Sequence, residues 1–216
     1  HSPPKVRPPY VARPIPGKQS ATIVARMLEY DLRGSMLADF EEAVADLVPT
    51  ASAARYEQAL ADLGSFLGFD AERPEKVHSK GPDVLWRTDG EFDFVIEAKS
   101  KKEDNPLYKS DHAQLLEAEA WFKTAYSNRD SVRVSALAEA VADPKASTAG
   151  SFALRLVDID KLVGALRGVL GDLVVSPGKE EALRERCEAA LVKASLKPDG
   201  IKKTFLAPFA KAVKAT

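Results

Sequence analysis

The stretch that most limits how this chain can fold is a pair of short apolar runs. They are Gly81-Pro82-Asp83-Val84-Leu85-Trp86 and Phe92-Asp93-Phe94-Val95-Ile96-Glu97-Ala98-Lys99, and both carry acids where a core strand should have none. Side chains alternate along a strand, so Phe92, Phe94 and Ile96 share one face while Val95, Glu97 and Lys99 share the other. Asp83 opens the first run, and a hairpin through Thr88-Asp89-Gly90-Glu91 folds that run back beside the second. Two carboxylates and an amine then converge at one end of a sheet. Such a group is expensive to bury unless a metal, a charge partner or a substrate compensates it.

The chemistry this suits is metal-assisted phosphodiester hydrolysis. Hard divalent cations such as Mg²⁺ take oxygen ligands and keep several waters, so two carboxylates plus a substrate phosphate make a natural site. Pro82-Asp83 followed by Glu97-Ala98-Lys99 resembles the PD-(D/E)XK nuclease superfamily, the restriction-endonuclease-like fold. The resemblance implies metal-dependent cleavage of DNA with Mg²⁺ or Mn²⁺ as cofactor, Asp83 and Glu97 as metal ligands, and Lys99 as the catalytic lysine. It implies a 3′-hydroxyl and a 5′-phosphate as products. It often brings a further acid from the preceding helix, here Glu57, as an additional metal ligand or water anchor, and a glutamine from the following helix, here Gln114. Residue 118 is Ala, so the tyrosine of an exonuclease-type Gln-x-x-x-Tyr pattern is missing. Lys109-Ser110-Asp111-His112-Ala113-Gln114, together with the Gly-Pro-Asp-Val-Leu-Trp run, is also similar to nuclease modules fused behind bacterial DEAD/DEAH-type helicases. That narrower likeness implies a helicase or ATPase portion as partner. Restriction-like folds often act as dimers to cut two strands, so a homodimer stays among the expected partners, although the sequence shows no dimer face.

Elsewhere the chain excludes more than it specifies. Its 216 residues carry a formal net charge of −1, so no global basic field advertises nucleic acid, and any such surface has to be local. A single cysteine, Cys187, rules out an internal disulfide framework and fits a reducing, cytoplasmic setting. No apolar run approaches a membrane span, and no secretory signal is visible. No Gly-rich phosphate loop, zinc constellation or Gly-x-Ser-x-Gly elbow is present, which disfavours ATP hydrolysis by this piece, zinc binding and serine-type catalysis.

The local patterns predict an α/β fold: a restriction-endonuclease-like core with a central mixed sheet of about four to five strands, flanked by helices. Residues 1–17 read as a proline-rich linker or tag remnant on a piece of something longer, with a basic arm on DNA as the sharper alternative. Residues 18–50 read as a helical element, 51–172 as the nuclease core, and 173–216 as C-terminal helices, the last running toward Lys214. A helix from Ala53 to Leu67 with Ser52 among its capping residues is expected to present Glu57. Glu75 to Lys80 reads as a polar loop near the site, able to contact phosphate through Lys80. Lys101, Lys102 and Lys109 are further candidates for backbone phosphates. His112 and Gln114 are expected to face the sheet end where the acids meet. The rival reading from another class is a non-catalytic nuclease-like domain that binds DNA or docks a partner.

Overall fold

The computed structural model describes residues 6–99 and 106–213. Helices α1 (Gln19–Leu28) and α2 (Ser35–Val44) form where the apolar spacing places them, burying Ile23, Val24 and Met27, then Met36, Phe40 and Val44. Helix α3 (Ala53–Phe66) begins at Ser52, whose side chain accepts the Arg55 amide at 3.3 Å. It ends before Gly68, whose φ of +85° stops the helix in a conformation glycine adopts freely. Strand β1 (Asp70–Glu72) follows.

Residues 75–80, expected as a polar loop, instead open with one short helix, α4 (Pro74–His78). Proline at its first position lacks only an N–H that would go unused there, and Ser79 closes it in the left-handed region at φ 66°. Strands β2 (Val84–Arg87) and β3 (Phe92–Ala98) then form the expected hairpin. Helix α5 (Lys109–Ala125) takes its cap at Tyr108, and Asp111 accepts the Tyr108 amide at 3.0 Å. The remaining elements are β4 (Asp130–Leu137), β5 (Val141–Ala142), β6 (Ser151–Arg155), α6 (Leu156–Val175), α7 (Glu180–Lys193), α8 (Pro198–Phe205), β7 (Ala207–Pro208) and β8 (Ala210–Lys211).

The fold is α/β, with a mixed sheet in the order β1-β2-β3-β4-β6-β7. β3, β4 and β6 run parallel, and the outer pairs are antiparallel. The six strands exceed the four to five expected because the C-terminal region does not stay helical. After α8 the chain turns extended and β7 adds itself to the β6 edge, where Pro208 is tolerated because an edge strand need not donate on its outer side. β5 and β8 form a separate parallel pair. The final helix expected toward Lys214 is therefore corrected to a helix ending at Phe205 followed by two short strands.

Two apolar layers sandwich the sheet. Phe94, Ile96, Val132, Val134 and Leu154 face a large core shared by α1, α2, α3, α6, α7 and α8, so residues 18–50 and 173–216 pack into the same cluster as the sheet. Leu85 and Val95 face the other way, against Leu115, Ala118 and Phe122 of α5. The proline-rich stretch from residue 6 carries no helix or strand before α1, yet it is tied down. Arg13 pairs with Asp70 at 2.7 Å, Tyr10 contacts Glu72 and Tyr126, and Arg87 donates to the carbonyls of Arg13 and Pro14 at 2.9 and 2.8 Å.

Candidate active site

Where the β2–β3 ladder runs out, Asp83 occupies the position just before Val84, which pairs with Ile96. Its Oδ2 accepts the Ala98 amide at 2.9 Å, taking a donor that the shortened β2 leaves free. Strand alternation brings Glu97 to the α5-facing side, beside Asp83. Lys99 follows directly, its own amide bonded to the Ala136 carbonyl at 2.7 Å, so the parallel β3–β4 pairing carries its backbone one step past the strand.

These residues line one cleft of about 640 Å³. Its walls include Asp83, Glu97, Lys99, Gln114, Glu57 and Lys80, together with Glu75, Gly81, Glu117 and Trp121. Lys99 Nζ donates to Gln114 Oε1 at 2.5 Å and lies 3.9 Å from the Asp111 carboxylate. α5 thus fixes the amine from above while the sheet supplies the acids from below.

The electrostatics of the acids are unusual for a buried cluster. Glu97 is 7% exposed, and its carboxyl is pushed up from 4.5 to about 9, first by burial and then by the charge of Asp83, with which it shares a hydrogen bond. Lys99 opposes that shift without cancelling it. Glu75 shares a hydrogen bond with Asp83 from the other side, and this, more than burial, pushes it up to about 7. Glu57 is raised by burial and by Asp83, but Arg73 forms a close ion pair with it and works against the rise. Asp83 thus raises both Glu97 and Glu75, and the one lysine beside them opposes the rise without cancelling it.

Of the expected contacts to nucleic acid, Lys80 stands in the cleft wall and Lys109 is exposed at the start of α5. Lys101 and Lys102 lie outside the described residues. His112 does not face the acids. It is 4% exposed, turned toward β6, and its Nε2 shares a 2.8 Å hydrogen bond with Ser151 Oγ. His112 and Gln114 are two residues apart, a rotation of about 200° on a helix, so the two point to opposite sides of α5 and His112 is not a surface contact. Glu75 was missed. Reading 75–80 as a loop hid it, and the signal that could have found it was Pro74 at a helix start with an acid directly after.

Among the described residues, no group of three or more His, Cys, Asp and Glu side chains is placed to hold a metal ion by itself. The donor set nevertheless has the chemistry of a hard-cation site: oxygen only, two carboxyls in contact, with other positions left for water and a substrate oxygen. Asp83 and Glu97 are the residues that could hold such an ion, and its charge would offset the burial and the Asp83 charge that raise Glu97.

Compared with family models, with curated proteins and with solved structures, the chain matches none. Among the described residues no helix is long and apolar enough to cross a membrane.

Proposed function

We propose that the chain is a divalent-cation-dependent nuclease of the PD-(D/E)XK, restriction-endonuclease-like kind, hydrolysing phosphodiester bonds in DNA. The observation that carries this reading is that Asp83, Glu97, Lys99 and Gln114 line one cleft, with Lys99 Nζ donating to Gln114 Oε1. The succession α3, β1, α4, β2, β3, α5, β4 supports it, because that order sets the acids of a hairpin beneath the first turns of the following helix. A Mg²⁺ or Mn²⁺ ion, when bound, supplies Lewis-acid polarisation of the phosphoryl group and a more acidic water.

The chain's own residues do the rest. Asp83, anchored by the Ala98 amide, and Glu97 present oxygens toward the cleft. Lys99, steadied by Gln114, offers a positive charge to the phosphate oxygens and orients the attacking water. Lys80, which also lines the cleft, meets the neighbouring phosphate of the strand. Glu57, closed by Arg73, holds the arginine rather than an ion. Following the narrower likeness, such a module would act beside a helicase or ATPase portion that delivers the strand.

One observation favours a second reading, a nuclease-like domain that binds DNA without cutting it: the absence of a three-ligand group among the described residues. Incubation with supercoiled plasmid and with single-stranded DNA, in Mg²⁺, Mn²⁺ or EDTA, separates the two. Cleavage in either metal, abolished by EDTA and by Asp83→Ala or Lys99→Ala, is the expected result. Binding without cleavage in every metal supports the docking domain, and cleavage that persists in both variants removes the mechanism.

A further inference from the structure

Ser135 of β4 stands in register with Glu97 of β3. In-register neighbours on paired strands project to the same face of a sheet, here the face covered by α5. Ser131 and Arg133, which alternate with Ser135 on that face, both reach Glu119 of α5. Ser135 is 1% exposed, and its Oγ has no hydrogen-bond partner among the described residues. The other hydroxyls of this face are used: Ser131 donates to Glu119, and Ser151 bonds to His112 and Arg133.

A buried hydroxyl without a partner costs about 1–3 kcal/mol relative to a satisfied one. Alanine would fill the position without that cost, as Ala153 does one strand over, in register with Ser135. Four side chains flank Ser135 on this face of the sheet: Glu97, Ala153, Arg133 and Leu137. Alanine and leucine have no polar group, and a guanidinium only donates. Glu97 alone offers acceptors, and its carboxyl shares a hydrogen bond with Asp83 on the side away from β4.

We propose that Ser135 is a positioning residue whose hydroxyl donates to the Glu97 carboxylate and fixes the orientation in which Glu97 and Asp83 hold a divalent cation. The inference rests on the cation-dependent reading of the cleft. A carboxylate has two oxygens and about four lone-pair directions, so accepting from Ser135 on one side leaves the other free for the ion. Donors of this sort beside a ligand set its orientation, and their loss lowers metal affinity although they never touch the metal.

The test measures Mn²⁺ binding to the protein without DNA, by the loss of the free-ion paramagnetic resonance signal, beside cleavage kinetics and thermal unfolding. Ser135→Ala is expected to weaken Mn²⁺ binding by about 10- to 100-fold. It should lower kcat, leave KM for DNA unchanged, and leave the unfolding midpoint unchanged or higher. Ser135→Thr, which keeps the hydroxyl, should restore Mn²⁺ binding. If Ser135→Ala binds Mn²⁺ as tightly as the wild type while Glu97→Gln does not bind it, the role of Ser135 is overturned and the nuclease reading stands. A lower unfolding midpoint in Ser135→Ala with unaltered Mn²⁺ binding overturns it equally, by making the serine structural. If the wild-type protein binds no Mn²⁺, both fall together.

Discussion

Asp93 and Glu97 sit on the same face of the same strand, four residues apart, and their surroundings are opposite. Asp93 is fully buried and fully answered. It accepts the Thr88 amide at 2.8 Å, two bonds from Arg129 at 2.8 and 3.1 Å, and it has Arg87 at 3.8 Å. Those arginines are committed elsewhere too, Arg129 to the Gly90 carbonyl at 2.7 Å and Arg87 to the N-terminal segment and the Tyr126 ring. Glu97, at the cleft end, faces two other acids and one lysine. A closed cluster with cations to spare holds a hairpin together, whereas an open one short of cations is held in place by the fold and waits for something to bring positive charge. Burial alone would not have told the two apart.

The contrast breaks first at Asp93. Asp93→Ala removes the carboxylate that two guanidiniums share, and removing one partner of a buried ion pair costs about 3–5 kcal/mol. Urea unfolding is expected to show a loss of that size, whatever the metal. Glu97→Gln should behave in the opposite way, leaving stability near neutral pH unchanged or slightly higher because the folded chain no longer has to take up a proton that the unfolded chain has released, while cleavage disappears. Equal destabilisation by the two substitutions would mean that both ends of β3 are structural. Lys99→Ala tests the same end from the cation side. Loss of a preorganised charge at a reacting centre typically costs about 10²–10³ in kcat, with little change in unfolding.

The closed end also shows where sequence reading stops. The hairpin, the alternation of β3 and the meeting of Asp83, Glu97 and Lys99 were legible, because each rests on local periodicity and a turn of hairpin length. Asp93 was visible as a residue on a strand, but its partners Arg87 and Arg129 carried no motif, and only the parallel pairing of β3 with β4 brings Arg129 to it. Glu75 was hidden by a helix too short to show a period. β7 was illegible for a related reason: two residues at a sheet edge leave no alternation to read. His112 went wrong on a rotation, since facing a site is a matter of single residues on a helix and local pattern fixes helix faces only to within a position or two.

pH sharpens the comparison at the open end. Glu97 titrates at about 9 in the folded protein against an ordinary 4.5. Between those values the native state keeps a proton that the unfolded chain has released, so stability is fullest below the unfolded value and declines as pH climbs toward the folded one. Glu97→Gln should flatten that decline. Mn²⁺ competes with protons for the same oxygens, so it should raise the unfolding midpoint more at about pH 8 than at about pH 6. Urea midpoints measured across this range, with and without Mn²⁺, check both statements. An increment from Mn²⁺ that is the same at both pH values would uncouple the ion from these carboxyls.

The smallest expected effect concerns how far the open end leans on the N-terminal segment. Arg7 donates to the carbonyls of Glu75 and Lys76 at 3.0 and 3.1 Å, and His78 bonds to the Pro8 carbonyl at 2.9 Å, so the proline-rich stretch grips the helix that presents Glu75. Tyr10 meanwhile packs on Trp121, in the α5 wall of the cleft, with ring centroids 4.6 Å apart. One segment therefore touches both banks. Exposed hydrogen bonds of this kind contribute about 0.5–1.5 kcal/mol each, and helix-end carbonyls have water as an alternative partner. Arg7→Ala should lower global stability by less than about 1 kcal/mol and speed amide exchange in α4 while leaving α5 and the Asp93 cluster unchanged. Exchange that rises equally around Thr88 and Arg129 would show the closed end to be as dependent on this strap as the open one.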